Sequence, residues 1–250
     1  MAGNDILKSA YTVEMQIRNI FYISYLVPIG RMRSAVPQVL PLAEVADGQV
    51  FLSAVFMNCN EVGWGLVPYP RFNYEQVNLR IYVTDPETEE HAVYFFDSGV
   101  SSAQIARLTR LIGIPWQRIT CNIDMERDER LQNVSYRVSG EWRGDFSLTG
   151  SASSAREISL APFADTGSMV AYLVQPLIGF IGDKDRLMRF TIWHPSVVPM
   201  AGEVEQLDFA RLRALGLVDK DKMEKPDNVL FVPEAEFKIY LPPKRVGDAV

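Results

Sequence analysis

The sequence predicts a mainly β fold: a closed antiparallel β-barrel or strongly coiled sheet, with a few short helices. Three observations carry this. Runs of β-branched and aromatic residues recur along the chain, separated by turn-forming residues, whereas helix-period patterns are few and short. Hydrophobic residues make up 48% and charged residues 22%, as in globular chains. A chain of 250 residues buries roughly three quarters of the surface it exposes when unfolded, enough for one core. Residues 1–250 are therefore expected to form a single domain with a β-barrel or coiled sheet at its centre.

Residues 13–26 (VEMQIRNIFYISYL) are apolar on both parities, which predicts a strand buried on both faces. Pro28 opens a short helix, IGRMRSA, that ends before Pro37. Asp47-Gly48 is a hairpin turn signal between the apolar runs LPLAEV and QVFLSAVFM. Residues 60–72, rich in Gly and Pro, read as a loop whose Trp64, Tyr69 and Phe72 pack over something. Residues 73–84 and 90–97 predict a second hairpin joined by DPETE. The clearest helix follows: Ser101 or Ser102 caps it, Ile105, Leu108 and Ile112 line one face, and Gly113 with Pro115 stops it. Strands are expected near 117–124, 131–139 and 142–149, then a loop over 150–161 and a helix over 165–175 ended by Pro176. The chain closes with strands near 177–181, 186–194 and 202–207, a short helix over 208–216, a charged loop over 219–227 and a strand pair or bent strand around Pro233 over 228–241.

The formal charge of −6 and pI near 5.1 argue against nucleic-acid binding, which wants a basic face, but leave room for a local anion pocket. The N-terminus has no signal-peptide pattern, and no apolar run approaches the ~20 residues of a membrane span. A cytoplasmic protein with no membrane partner is expected. Cys59 and Cys121 form no metal or disulfide pattern and are expected to be buried thiols in a reducing compartment. Dinucleotide, phosphate-loop, zinc-protease and nucleophile-elbow motifs are absent, and His91 and His194 are the only histidines. No cofactor and no metal are expected.

Strand parity points to candidate chemistry. In 73–83 Glu75 alternates with Val77, Leu79 and Ile81, while Tyr74, Gln76, Asn78, Arg80 and Tyr82 share the other face. The apolar parity is expected to point inward and to take Glu75 with it. Arg18 shares a parity with Ile20, Tyr22 and Leu26. Buried charges need partners, so Arg18 and Glu75 are expected to meet in the interior or to face one polar cavity there. Such a pair either grips a ligand carboxylate or fixes two strands as an internal salt bridge. His194 shares the parity of Met188, Phe190 and Ile192 and is a core residue or an acid–base group. Arg107 and Arg110 lie three apart on the helix as an anion site or a solvated face.

Several of these segments resemble the acetoacetate decarboxylase-like superfamily, in particular its DUF2071 branch. They are Arg18, Phe21 and Tyr25, then Val36-Pro37 with Leu40, then FNYEQVNLRIYV, VYFFD, LIGIPW, His194-Pro195 and FVPEAEFKIY, in that order over roughly 15–245. The resemblance implies a conical, closed antiparallel β-barrel with helices packed outside, a pocket within, and a homo-oligomer. It also implies that Arg18 and Glu75 line that pocket. The decarboxylase works through a lysine of lowered pKa that forms an imine with its keto acid. The matching place here falls at Arg110 or Leu111, and no lysine occurs between Lys8 and Lys184. Arginine stays protonated and forms no imine.

Three functions remain open from the sequence. In the first, the barrel binds a small organic acid or other anion, with Arg18, Tyr22, Tyr74, Arg80 and Arg110 as ligand-binding candidates and Phe95 and Trp64 in the apolar wall. In the second, it is a lyase, hydratase or isomerase acting on a small oxo acid, with Glu75 and His194 as acid–base groups. In the third, side chains fill the cavity and the protein acts through an oligomer or partner surface.

Overall fold

The computed structural model describes residues 12–65, 69–130 and 132–247. The strands among them are, in chain order, β1 (Thr12–Pro28), β2 (Gln49–Trp64), β3 (Phe72–Thr84), β4 (His91–Val100), β5 (Gln117–Arg118) and β6 (Thr120–Arg127). They continue with β7 (Asn133–Glu141), β8 (Asp145–Ser153), β9 (Ile178–Ile181), β10 (Met188–Trp193), β11 (Met200–Phe209) and β12 (Asn228–Arg245). Short helices connect them: α1 (Ile29–Met32), α2 (Ala103–Leu111), α3 (Thr166–Leu173), α4 (Ala210–Ala214) and α5 (Lys220–Met223).

Seven strands close into a barrel in the order β1-β2-β3-β4-β9-β10-β12, with β12 returning to β1. The closing register runs from Thr12↔Tyr240 to Ser24↔Asn228. Neighbours in the barrel are antiparallel except β4 and β9, which are parallel. The chain between those two passes through β5 to β8 and two helices, a long crossover that lets it re-enter in the same direction.

β6, β7 and β8 of that crossover join β11, from the connection between β10 and β12, in a second layer. β11 leaves β12 at Met200↔Phe231 and Ala201↔Leu230, and β8, β7 and β6 continue outward from it. The layer packs on the outer face of β1 and β2. Phe21 stacks on Tyr136 at 4.5 Å, and Phe56 meets Phe146 and Phe209 at 6.2 and 6.0 Å. Hence β1, β2 and β3 are buried almost throughout, as the double-parity apolar pattern of residues 13–26 predicts.

Local signals explain the helix positions. Ser102 Oγ accepts from Ile105 N at the start of α2. Asp165 and Ser168 form a reciprocal capping box at the start of α3. Among the described residues no helix is long and apolar enough to cross a membrane.

Three expectations from the sequence are corrected. The run LPLAEV meets β2 only at the turn, where Val45 N donates to Gln49 O, because β1 and β3 occupy both edges of β2 beyond it. Its backbone joins the end of β3 instead, with Ala43 N donating to Tyr82 O and Thr84 N to Pro41 O. The Asp47-Gly48 turn does form, with positive φ at both residues. β2 reaches Trp64 and β3 begins at Phe72, so both ends of the loop expected over 60–72 are strand, and residues 66–68 lie outside the described residues. β8 extends to Ser153, into the expected loop over 150–161, because β7 and β11 flank it to that point.

Phe231 sits where the two layers part, near Phe21 and Tyr136 at 6.4 Å each. Phe231→Ala is expected to cost about 3–5 kcal/mol, measured by urea denaturation. Val198→Ala, at an exposed site, is expected to stay within about 0.5 kcal/mol of the parent. Equal costs would refute the two-layer core.

Candidate functional site

The barrel encloses a cavity of about 850 Å³, near the upper end of the roughly 300–1,000 Å³ typical of small-molecule sites. Its walls are largely apolar, with Ile17 and Ile20 from β1, Phe190 and Ile192 from β10, and Phe237 and Ile239 from β12. Helix α2 borders one end through Leu108, Leu111 and Ile112, which are also exposed to solvent, as is Trp64 across the opening. Val174 and Pro176, just after α3, line the wall near the opposite end of β3.

Polar groups come mainly from one strand. Tyr74, Gln76, Asn78 and Arg80 of β3 face the cavity, with Tyr22 of β1, Ser98 of β4 and His194 after β10. The two amides are tied to each other: Gln76 Nε2 donates to Asn78 Oδ1 at 2.8 Å, and Cys59 Sγ donates to Gln76 Oε1 at 3.5 Å.

Arg80 is 9% exposed. Its guanidinium lies 5.0 Å from the Tyr22 ring centroid and 5.4 Å from that of Tyr82. Nη2 donates to Tyr82 Oη at 3.1 Å and to the carbonyl of Leu173, the last residue of α3. A helix C-terminus carries unpaired carbonyls and partial negative charge, which favours a cation there. Nε is buried without a hydrogen-bond partner. Two other largely buried arginines each hold a buried carboxylate, Arg189 with Asp85 at 2.7 Å and Arg211 with Asp97 at 2.6 Å. Among the described residues Arg80 has no such partner.

His194 is buried and stacks on Phe237 with ring centroids 4.5 Å apart. Its Nδ1 lies 2.9 Å from Pro195 O. A carbonyl only accepts, so Nδ1 carries the proton and neutral His194 presents Nε2 as its basic nitrogen. Burial holds its pKa below the ordinary value against the opposing Pro195 hydrogen bond, and the Arg80 charge lowers it further. Burial also raises the Tyr22 phenol, with Arg80 opposing, and pushes the Cys59 thiol up to about 12. Both stay neutral at pH 7, so neither supplies Arg80 with an anion.

The structure separates the candidates named from sequence. Tyr22, Tyr74, Arg80 and His194 lie on the cavity wall, with Phe95 and Trp64. Arg18, Glu75 and Arg110 do not. The side chain of Arg18 is 54% exposed and sits 3.6 Å from exposed Glu234. The cause is a bulge at Asn19, whose φ is +57° and which breaks the register between Arg18 and Phe21. Met15 and Ile17 face the cavity before it, Ile20 and Tyr22 after it, so Arg18 is thrown to the other side. Glu75 lies on the outward parity of β3, where its Oε2 accepts from Ser101 Oγ at 2.5 Å. Arg18 and Glu75 therefore do not meet in the interior. Arg110 and Arg107 are exposed on α2; its apolar side faces the cavity instead.

Gln76 and Asn78 also line the cavity, although the apolar-parity rule points them outward. The signal that finds them is the alternation Tyr-Gln-Asn-Arg-Tyr itself. In a strand whose apolar parity is covered by a second sheet, the polar parity is left to line the cavity.

The fold is a hollow barrel of the acetoacetate decarboxylase-like type. The chain belongs to the DUF2071 family, described as an uncharacterised conserved protein, whose model matches residues 14–236. A comparison with curated proteins returned no match. Among solved structures the chain is similar to the enduracididine biosynthesis enzyme MppR, complexed with the condensation product of pyruvate and imidazole 4-carboxaldehyde. That likeness has 12% identity and a TM-score of 0.63, covering 95% of this chain and 90% of that one. An acetoacetate decarboxylase-like enzyme from Sphingomonas wittichii RW1 gives 12% identity and 0.59, covering 95% and 93%. Acetoacetate decarboxylase from Legionella pneumophila gives 13% and 0.58, covering 94% and 87%. At these identities the likeness is one of fold.

The two histidines set a pH dependence. Burial also lowers the pKa of His91, opposed by the hydrogen bond to Tyr172 O and reinforced by the Arg80 charge. Below about pH 6.5 the unfolded chain protonates its histidines before the folded one does, so acidification favours unfolding. Stability is expected to fall between pH 7.5 and 5.5. The fall should shrink in a His91→Gln/His194→Gln double variant, read as the shift in urea midpoint between the two pH values. An unchanged shift would show that the histidines do not carry it.

Proposed function

We propose that the barrel binds a small organic anion and that Arg80 is its anchor. The observation that carries this reading is a buried guanidinium on the wall of an apolar cavity, with no carboxylate partner among the described residues and an unpartnered Nε. A cation in such a place, with no counter-charge beside it, is strongly attracted to an anion. Tyr22 would hold the guanidinium plane by its ring, and Tyr82 with Leu173 O fixes its far edge. The fold neighbours lend support, since MppR has also been seen complexed with pyruvate, a small organic acid.

Imine chemistry is no part of this reading. None of the described cavity-lining residues is a lysine, and the position matching the decarboxylase lysine falls at Arg110 or Leu111 of α2. A second reading, lyase, hydratase or isomerase chemistry on a small oxo acid, is favoured by the free Nε2 of His194 on the same wall. It would proceed with His194 as its one acid–base candidate, because Glu75 faces outward.

A thermal-shift panel of small organic acids tests the first reading. At a hundredfold excess over Kd a ligand adds about 2.7 kcal/mol, a Tm rise of about 5–10 °C for a chain of this size. Arg80→Met is expected to abolish the rise for every acid that gives one. Its own Tm should equal or exceed that of the parent, because the Tyr82–Leu173 hydrogen bond survives and a desolvated charge is removed. If acids stabilise parent and variant alike, Arg80 is not the anchor.

A further inference from the structure

We infer that the anion is amphipathic: a carboxylate with an extended, unbranched apolar chain, its head at Arg80 and its tail directed along the cavity towards α2. The inference rests on the anion-binding reading above and concerns what occupies the rest of the space. Register sets the length. Along β3 the wall runs from Phe72 and Tyr74, level with Val62 and Cys59 of β2, to Arg80, level with Ser53. Eight residues of strand separate Phe72 from Arg80, about 26 Å of extended chain before strand tilt is allowed for. An oxo acid of a few carbons held at Arg80 would leave most of an 850 Å³ cavity unfilled.

The chemistry of the wall points the same way. Beyond Arg80 the amides of Gln76 and Asn78 are engaged with each other, and the facing strands β10 and β12 offer Phe190, Ile192, Phe237 and Ile239. Apart from His194 Nε2 and the unpartnered Ser98 Oγ, the lining towards α2 is apolar, so methylene groups would find more contact there than a second charged or sugar-like group. At the far end Trp64, Leu108, Leu111 and Ile112 line the cavity while remaining 48%, 49%, 83% and 52% exposed. An exposed apolar rim of this kind is costly for a water-filled channel and useful for an apolar chain entering or leaving. Charge is therefore concentrated at the buried end and apolar surface at the open end, the polarity of a fatty acid inserted head first.

The test is isothermal titration of butanoate, hexanoate, octanoate and decanoate, and of the matching primary alcohols, into the parent and Arg80→Met. Each added methylene buried from water contributes about 0.8 kcal/mol, or roughly a fourfold gain in affinity. Affinity for the acids is expected to rise by about that factor per methylene across the series. In Arg80→Met the acids should weaken by at least about tenfold, the loss of one charge-assisted hydrogen bond, while the alcohols change little. If short and long acids bind equally and Arg80→Met abolishes both, the amphipathic inference fails and the anion site stands. If affinity rises with length but ignores Arg80, the ligands adhere to the apolar rim and both readings fail. If no acid binds, both fail.

Discussion

Strand β12 has two edges, and the fold depends on how they are shared. One edge is given wholly to β1, over almost the full length of that strand. The other is divided: residues 238–245 pair with β10 and close the barrel, while Leu230 and Phe231 pair with β11 and start the outer sheet. A strand of ordinary length could not serve both layers. The 18 residues of β12 allow it, and Phe231 packs near Phe21 and Tyr136 where the layers diverge.

Two-layer burial decides what the cavity is made of. Because the outer sheet covers β1, β2 and β3, their outward residues need to be apolar. Phe21 and Phe56 take part in interlayer aromatic packing, and Val77, Leu79 and Ile81 are fully buried without lining the cavity. Inward residues are then released from the duty of filling a core. Tyr74, Gln76, Asn78 and Arg80 occupy that freed parity. A single-layer barrel exposed to water outside would place its polar parity outward.

This inversion marks the limit of what the residues disclose. The strand-rich fold, α2 and α3 with their caps, and the double burial of residues 13–26 are all written in local patterns, and the structure contains them. The side of β3 that faces the cavity is not written there, because it depends on β6–β8 and β11, which pair far along the chain. The apolar parity of β3 points Glu75 inward and Arg80 outward, and the outer sheet reverses the two. Arg18 failed for a smaller cause, one residue of bulge at Asn19, and a single slip in a period-2 pattern moves every later side chain to the other face. An asparagine amid a hydrophobic strand is the available clue, since it tolerates positive φ better than most residues.

Arg80 is then the residue least explained by stability. Desolvating a cation costs several kcal/mol even after relaxation. Against this the protein sets two tyrosine rings with their hydroxyls and a carbonyl at the end of α3, all neutral dipoles or quadrupoles. Arg189 and Arg211 show the alternative within the same fold, each neutralised by a buried aspartate. At Arg80 the ring of Tyr22 stands in that place, and burial keeps its phenol protonated. The arrangement positions the guanidinium and removes competing anions without cancelling its charge, so the attraction remains available to a molecule that enters the cavity.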